Sequence, residues 1–513
     1  MKLTFFGAAR EVTGSCFLLS GQEGDYLVDC GLVQGGREER NREPLPFDPA
    51  SLSCVLLTHA HLDHSGRIPL LYRQGFRGPV YATGPTIELA EVLWLDTAKI
   101  MREESERANR KRRRKGQSPV EPLYSEEDVK GALSLLEPVA YDELVSRKGV
   151  DLVFRNAAHI LGAAVLEIWA EEKKIVFTGD LGPFFGVMDG SPPVINDADC
   201  VVLESTYGNR DHRTLESTRQ EFASVLAEAA QEGGKVLIPS FVVDRAQRVL
   251  YELSLLHFNA RVDLPVFFDS PMGKRATEIY EKYRTQFSGE IQKITLSGKS
   301  PFQFPGLNFV SSPQESRDLN DEKQAIVIAG SGMCNGGRIL HHLKHSLWKD
   351  STRVIFVGYQ AGGTLGRRLI QGASSVRILG EDVVVRAKFA TINGFSSHAG
   401  RTDLLRWAGQ FKNNPLFVVV HGEEESALAL ASGLELEGKR AIVPYPGGVL
   451  DISRETLAEE GEVVSAQVSV LREIEGALRS LQEGIPVKEG SPRWGLLRSA
   501  LVLLQEAQRK EDY

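Results

Sequence analysis

Cysteine is scarce in this chain of 513 residues: five, at positions 16, 30, 54, 200 and 334, odd in number and never in a C-x-x-C pair. Such spacing excludes a disulfide framework and a thiolate zinc site, and the five read as small buried hydrophobes. No apolar run reaches the roughly 18 to 20 residues of a membrane helix. The start, from Met1 to Phe6, has neither the basic residues nor the apolar stretch of a signal peptide. A cytoplasmic protein without membrane contact is expected. An excess of positive charge is missing too: 60 Lys and Arg stand against 68 Asp and Glu, a formal charge of −8. Coating of nucleic acid by bulk charge is thereby excluded, and any anionic partner has to meet a local site.

What the chain does have is an ordinary globular composition, 42% hydrophobic and 25% charged, over a length suited to several domain-sized units. Short β-branched runs at residues 26–29, 55–58, 175–178 and 201–203 predict a strand-rich first part. From about Thr214 helix and strand alternate. Helical spacing covers 216–230, 245–256, 274–283 and 338–347, and strand-like runs fall at 235–238, 265–268, 325–328 and 354–357. This alternation predicts a parallel, doubly wound sheet. It forms an α/β module around 208–388, set into a β-rich unit that resumes with a helix at 401–411, a strand at 416–420 and a helix from Glu423. Residues 465–512 carry apolar side chains at helical steps and read as an appended helical hairpin. One charge run, from Arg107 to Lys115, holds seven basic and no acidic residues. It reads as a solvated helix end, with RNA contact as the alternative.

The strongest chemical signal is Thr58-His59-Ala60-His61-Leu62-Asp63-His64, directly after a strand-like run. Three imidazoles and a carboxylate within six residues make a loop able to face two metal ions, and imidazole with carboxylate suits zinc and similar divalent cations. His159, in Asn156-Ala-Ala-His159-Ile-Leu-Gly162, and Asp180, in Phe177-Thr-Gly-Asp180, follow strand-like runs. Alone, each reads equally as a turn or cap residue; with the cluster they complete a site. Asp29, ending the run at 26–29, is a candidate for a carboxylate that orients a ligand histidine.

The series Asp29, His59-x-His61-x-Asp63-His64, His159 and Asp180 resembles the first four motifs of the metallo-β-lactamase superfamily. Further along, Leu203-Glu204-Ser-Thr-Tyr-Gly208, Gly394-Phe-Ser-Ser-His398 and Val420-His421-Gly-Glu423 resemble motifs A, B and C of its β-CASP branch. The likeness is to nucleases such as the endonuclease subunit of the cleavage and polyadenylation specificity factor, and it covers residues 3 to about 452. It implies an αββα sandwich with an inserted β-CASP module: residues 1–207 and 389–455 forming the metallo-β-lactamase domain, 208–388 the insert, 456–513 a helical extension. It also implies two zinc ions, one held by His59, His61 and His159, the other by Asp63, His64 and His421, with Asp180 bridging both. Asp29 would stand behind the ligands. Glu204 would orient His398, which would protonate the leaving oxygen. The implied reaction is hydrolysis of RNA phosphodiester bonds by a hydroxide between the two ions, with internal cleavage expected and 5′-to-3′ exonucleolytic action as the alternative. Six of the eleven histidines fall in this set.

Two glycine-rich loops stand near it in the sequence. Residues 329–338 follow a strand and open a helix, so their amides suit a phosphate, although a tight turn explains the glycines equally well. The run fails the dinucleotide fingerprint, which argues against a nucleotide cofactor. The second loop, 358–368, ends in Arg367 and Arg368. From these loops and from Asp244-Arg245-Ala-Gln247, where relatives show Gly-Arg-Ala-Gln, the candidate RNA-contacting residues are Arg245, Ser331, Gly332 and Arg367. Phe17 stands where many relatives have histidine and receives no role. Other readings are a thioester or lactam hydrolase on the same metal core and a non-catalytic RNA-binding scaffold; the long insert and the intact ligand set count against them. The 465–513 segment is a candidate surface for self-association or a protein partner.

Overall fold

A computed structural model describes residues 1–457 except 148, 185, 189, 260–263 and 288. The helical hairpin expected in the last segment lies outside these residues. The last two described positions, Thr456–Leu457, form a strand paired with Val449–Asp451.

Two sheets face each other. The first runs Thr456–Leu457, Val449–Asp451, Lys2–Gly7, Cys16–Gly21, Gly24–Val28, Cys54–Leu56, Val80–Thr83, Leu136–Val139. The second runs Arg440–Ile442, Leu416–Val420, Cys200–Glu204, Lys173–Phe177, Ala164–Ala170, Val150–Asn156, Leu144–Arg147. Between them Phe5, Phe17, Val28, Leu56, Phe154, Phe177, Val202 and Val418 form one buried core. The alternate residues Val55, Leu57, Val176, Val201, Leu203 and Val419 point the other way, into helices. Burial on both faces is why these strands read as unbroken apolar runs rather than as alternating patterns. The helices Gly84–Arg114 and Glu126–Leu133 cover the first sheet, and Arg401–Ala408 and Glu424–Leu436 cover the second. This is an αββα sandwich.

The insert is a six-stranded parallel sheet in the order Leu307–Val310, Val266–Asp269, Ile326–Ala329, Val236–Pro239, Arg353–Phe356, Lys388–Thr391. Its last strand runs past the boundary expected at 388. Helices cover both faces, giving two separate cores, as the helix and strand alternation requires. The helix Leu215–Glu232 shows the local logic: the Thr214 hydroxyl accepts the Ser217 amide at its start, and Gly233, at φ +72°, ends it in the left-handed region. All five cysteines are buried and free. No helix among the described residues is long and apolar enough to cross a membrane.

Candidate metal centre

Parallel register sets the site. Gly24–Val28 pairs with Cys54–Leu56, Val28 opposite Leu56; Lys173–Phe177, Cys200–Glu204 and Leu416–Val420 lie side by side, with Glu204 opposite Val420. Asp29, the 58–64 loop, Asp180, Glu204 and His421 therefore leave their sheets at the same edge, the carboxyl ends where α/β sheets offer ligand sites. Two of them adopt left-handed backbone, Asp29 at φ +58° and His421 at φ +49°, a conformation that residues with a Cβ hold only under constraint. His61 caps the short helix Leu62–Ser65, which places Asp63 and His64 on its first turn.

The seven side chains implicated as ligands converge. His59 Nε2 and His159 Nε2 lie 3.5 and 3.4 Å from Asp180 Oδ2, and His61 Nδ1 lies 3.1 and 3.3 Å from those two nitrogens. On the other side, His64 Nε2 and His421 Nε2 lie 3.3 and 3.2 Å from Asp180 Oδ1. Asp63, His64 and His421 form a second close group of donor atoms. Asp180 thus presents one oxygen to each group. Its Oδ1 and His421 Nε2, both buried, are without a hydrogen-bond partner among the described residues. Buried polar atoms are normally satisfied; imidazole and carboxylate atoms all aimed at two points, with some of them unpaired, fit divalent cations.

Supporting contacts fix the ligand rings. Asp29 Oδ2 lies 2.7 Å from His64 Nδ1, while its two oxygens accept the Thr58 amide and hydroxyl, each at 2.8 Å. His159 Nδ1 faces the Ser397 carbonyl at 3.0 Å, and the Ser15 hydroxyl lies 3.2 Å from His421 Nδ1. With one ring nitrogen so engaged, the other is left for a metal. Burial holds His59, His61, His159 and His421 below the usual histidine range, the first and third strongly, which keeps them neutral as ligation requires. For Asp180 burial works the other way, but His421, His64, His398 and His59 outweigh it and hold the carboxyl well below the usual carboxylate range. His64 is lifted against burial by Asp180 and Asp29, so an ion held there would have to displace a proton.

His398 stands beside this group. Its Nδ1 lies 3.2 Å from Glu204 Oε1 and 3.8 Å from Asp180 Oδ2. Glu204 is fully buried and fixed by the Leu181 and Thr206 amides at 2.8 and 3.1 Å. Burial alone would lower the His398 pKa, but the Glu204 and Asp180 carboxylates raise it above its usual value.

The four candidate RNA-contacting residues all lie in the insert. Arg245 donates to the Val357 carbonyl. The Ser331 hydroxyl accepts the Asn335 and Gly336 amides at 3.0 and 3.3 Å, so the 329–338 loop closes on itself as a turn. A Cβ on Gly332 would come within 2.9 Å of the Phe241 nitrogen. Arg367 is exposed on the helix Leu365–Ile370. Sequence reasoning missed Ser15, Thr58 and Ser397. Thr58 and Ser397 stand inside motifs named for their histidines, so adjacency was the signal available for them, whereas Ser15 stands in none.

Comparison with known proteins follows the same outline. Residues 9–209 match the metallo-beta-lactamase superfamily, 246–369 the Beta-Casp domain, and 382–444 the Zn-dependent metallo-hydrolase RNA specificity domain. Ribonuclease TTHA0252 of Thermus thermophilus is 43% identical over 440 residues, covering 86% of this chain and 97% of the relative. Transcription termination factor FttA of Methanocaldococcus jannaschii is 32% identical over 463 residues, 86% of this chain and 70% of the relative. A crystal structure of a protein of unknown function from Enterococcus faecalis V583 shares the fold at TM-score 0.51 and 13% identity, covering 88% of this chain and 99% of that one. With the two-sheet sandwich, the inserted parallel sheet and the converging histidines, these likenesses mean that the chain belongs to the β-CASP ribonuclease family of the metallo-β-lactamase superfamily.

Proposed function

We propose that the chain is a two-zinc ribonuclease that cuts RNA internally. The observation that supports this most is the Asp180 carboxylate, with one oxygen toward His59 and His159 and the other toward His64 and His421. In this reading His59, His61 and His159 hold one ion, Asp63, His64 and His421 the other, and Asp180 both. Two ions so held supply positive charge to a phosphodiester and lower the pKa of a water, which answers the anionic repulsion that makes such esters stable.

The protein's own groups do the rest. Asp29 holds the Nδ1 proton of His64 and so fixes the tautomer that leaves Nε2 free. Glu204 does the same for His398: with Nδ1–H turned to the carboxylate, the proton available to a leaving oxygen is the one on Nε2. The Glu204 and Asp180 carboxylates raise the His398 pKa above its usual value, which favours the protonated ring an acid needs. The name of the Thermus relative, matched over nearly its whole length, supports RNA as the substrate. The Gly394 to His398 motif favours internal cutting over exonucleolytic action.

Circular and end-labelled RNA incubated with zinc-loaded protein tests this. Linearised circles and internal fragments are expected, abolished by a chelator and restored by zinc. Asp180→Asn is expected to lose both metal content and cleavage. Intact RNA with fully loaded protein, or full metal content and normal cleavage in that variant, overturns the reading; trimming from the 5′ end with circles untouched replaces it by the exonuclease.

A further inference from the structure

The insert reaches the metal centre through a buried ion pair that the chemistry above does not use. Asp244 opens the helix Arg245–Phe258 at φ +69° and ψ −64°, a backbone conformation unfavourable to any residue with a Cβ, and its side chain makes no capping bond. Instead Asp244 Oδ2 accepts Arg248 Nε at 2.7 Å, and Oδ1 accepts the Tyr280 hydroxyl at 3.4 Å. Arg248 then leaves the insert: its Nη2 donates to the main-chain carbonyl of His159 at 2.8 Å. Asp244 is 1% exposed and Arg248 6%. A guanidinium gripped by a buried carboxylate is a donor of fixed direction.

His159 needs such direction. Its ring is turned by the Ser397 carbonyl on Nδ1, and the preceding Ala158 is left-handed at φ +59°. The ring contact sets the tautomer; the carbonyl contact sets the peptide plane from which the ring projects. We propose that Asp244 and Arg248 are a positioning pair that fixes the main chain of His159, so that its Nε2 meets His59, His61 and Asp180 at one point. The pair thereby makes the first ion position depend on the docked insert. This rests on the reading of those residues as an ion site. A contact that merely glued insert to sandwich would have no preference between the two positions, whereas Arg248 bonds a residue of the first group.

Arg248→Lys is the selective variant. A lysine keeps the charge beside Asp244, but one ammonium does not reproduce the guanidinium fork that serves two acceptors. The double variant Asp244→Asn with Arg248→Met removes both charges, so neither is left buried alone. Zinc affinity measured by competition, the visible spectrum of the cobalt-substituted protein, and kcat and KM on RNA at limiting and excess zinc are the readouts. In both variants one zinc equivalent is expected to bind as in the wild type. The other is expected to bind about 10- to 100-fold more weakly, the usual effect of losing a group behind a ligand. The cobalt spectrum should change, and kcat should fall at limiting zinc and recover at excess with KM unmoved. Wild-type affinity for both ions and an unchanged cobalt spectrum in either folded variant overturn the positioning pair. Wild-type protein that takes up no zinc overturns the ion site itself.

Discussion

Two buried carboxylates, Asp180 in the sandwich and Asp269 in the insert, each stand beside histidine near the end of a strand, and they differ in what surrounds their oxygens. Asp269 accepts the Ser316 hydroxyl and Arg338 Nη1, each at 2.5 Å, and faces His342 Nε2 at 2.7 Å. Both of its oxygens are used; the orphan of that cluster is His342 Nδ1, on the other side of the ring. Asp180 has four histidine nitrogens at 3.2–3.5 Å, and its Oδ1 makes no hydrogen bond among the described residues. The Asp269 group satisfies its carboxylate and holds the insert together. The Asp180 group satisfies itself poorly because its atoms aim at points between them. The same residue types serve structure in one case and binding in the other, and the direction of the lone pairs distinguishes them.

Removing His398 should separate chemistry from binding within the Asp180 group and give the largest effect. His398→Ala is expected to lower RNA cleavage about 10²- to 10⁴-fold, the range for a lost general acid, with both metals retained. A nitrophenyl phosphodiester, whose leaving group needs no proton, should lose far less. Single-turnover rates on the two substrates with metal analysis check this; metal lost together with the imidazole would move His398 among the ligands.

Asp269→Asn should break the other half of the comparison. Metal content and cleavage are expected to stay unchanged while the protein loses about 3 kcal/mol, the low end for a buried pair broken on one side, because Arg338 keeps partial contact with solvent. The effect depends on pH. Burial would raise the Asp269 pKa, but hydrogen bonds from His342, Ser316 and Arg338 outweigh it and set it below the ordinary 3.8. With a depressed folded value, the contribution is complete above about pH 4 and disappears as pH falls through that folded value. Urea melts of variant and wild type should therefore differ most near neutrality and converge in acid.

How far each region could be read from sequence follows from the same physics. The 59–64 cluster was legible because its ligands crowd into six residues, and strands such as Leu416–Val420 because burial on both faces leaves apolar runs. Their ends were less so: the run at 235–238 is the strand Val236–Pro239, since side-chain pattern and backbone pairing need not stop together. The expected helix 401–411 ends at Ala408, followed by Gly409. Ser15 was out of reach because its partner His421 lies 406 residues away, and a lone serine carries no period. Arg248 likewise looks like any helical arginine until the fold brings His159 to it.

The smallest expected effect concerns the basic run, and it divides one helix into two parts. Gly84–Arg114 buries Leu89, Ala90, Leu93, Trp94 and Ala98, after which its side chains are mostly polar and none is fully buried. There Arg112 Nε donates to the Ser118 carbonyl at 2.6 Å, and the cations sit where the helix dipole is negative. Lys111 and Arg112 also line a groove of about 1170 Å³ with Arg10, Phe241 and Tyr359, whereas Arg113 and Arg114 do not. Exposed charges act over roughly 8 Å at physiological salt. Replacing Arg113 and Arg114 with glutamine should therefore shift stability by less than about 0.5 kcal/mol and leave kcat unchanged. Replacing Lys111 should raise the KM for RNA more than either, and more at low salt than at high. Equal KM effects from all three would mean that RNA follows the whole helix end and that the groove has no special part.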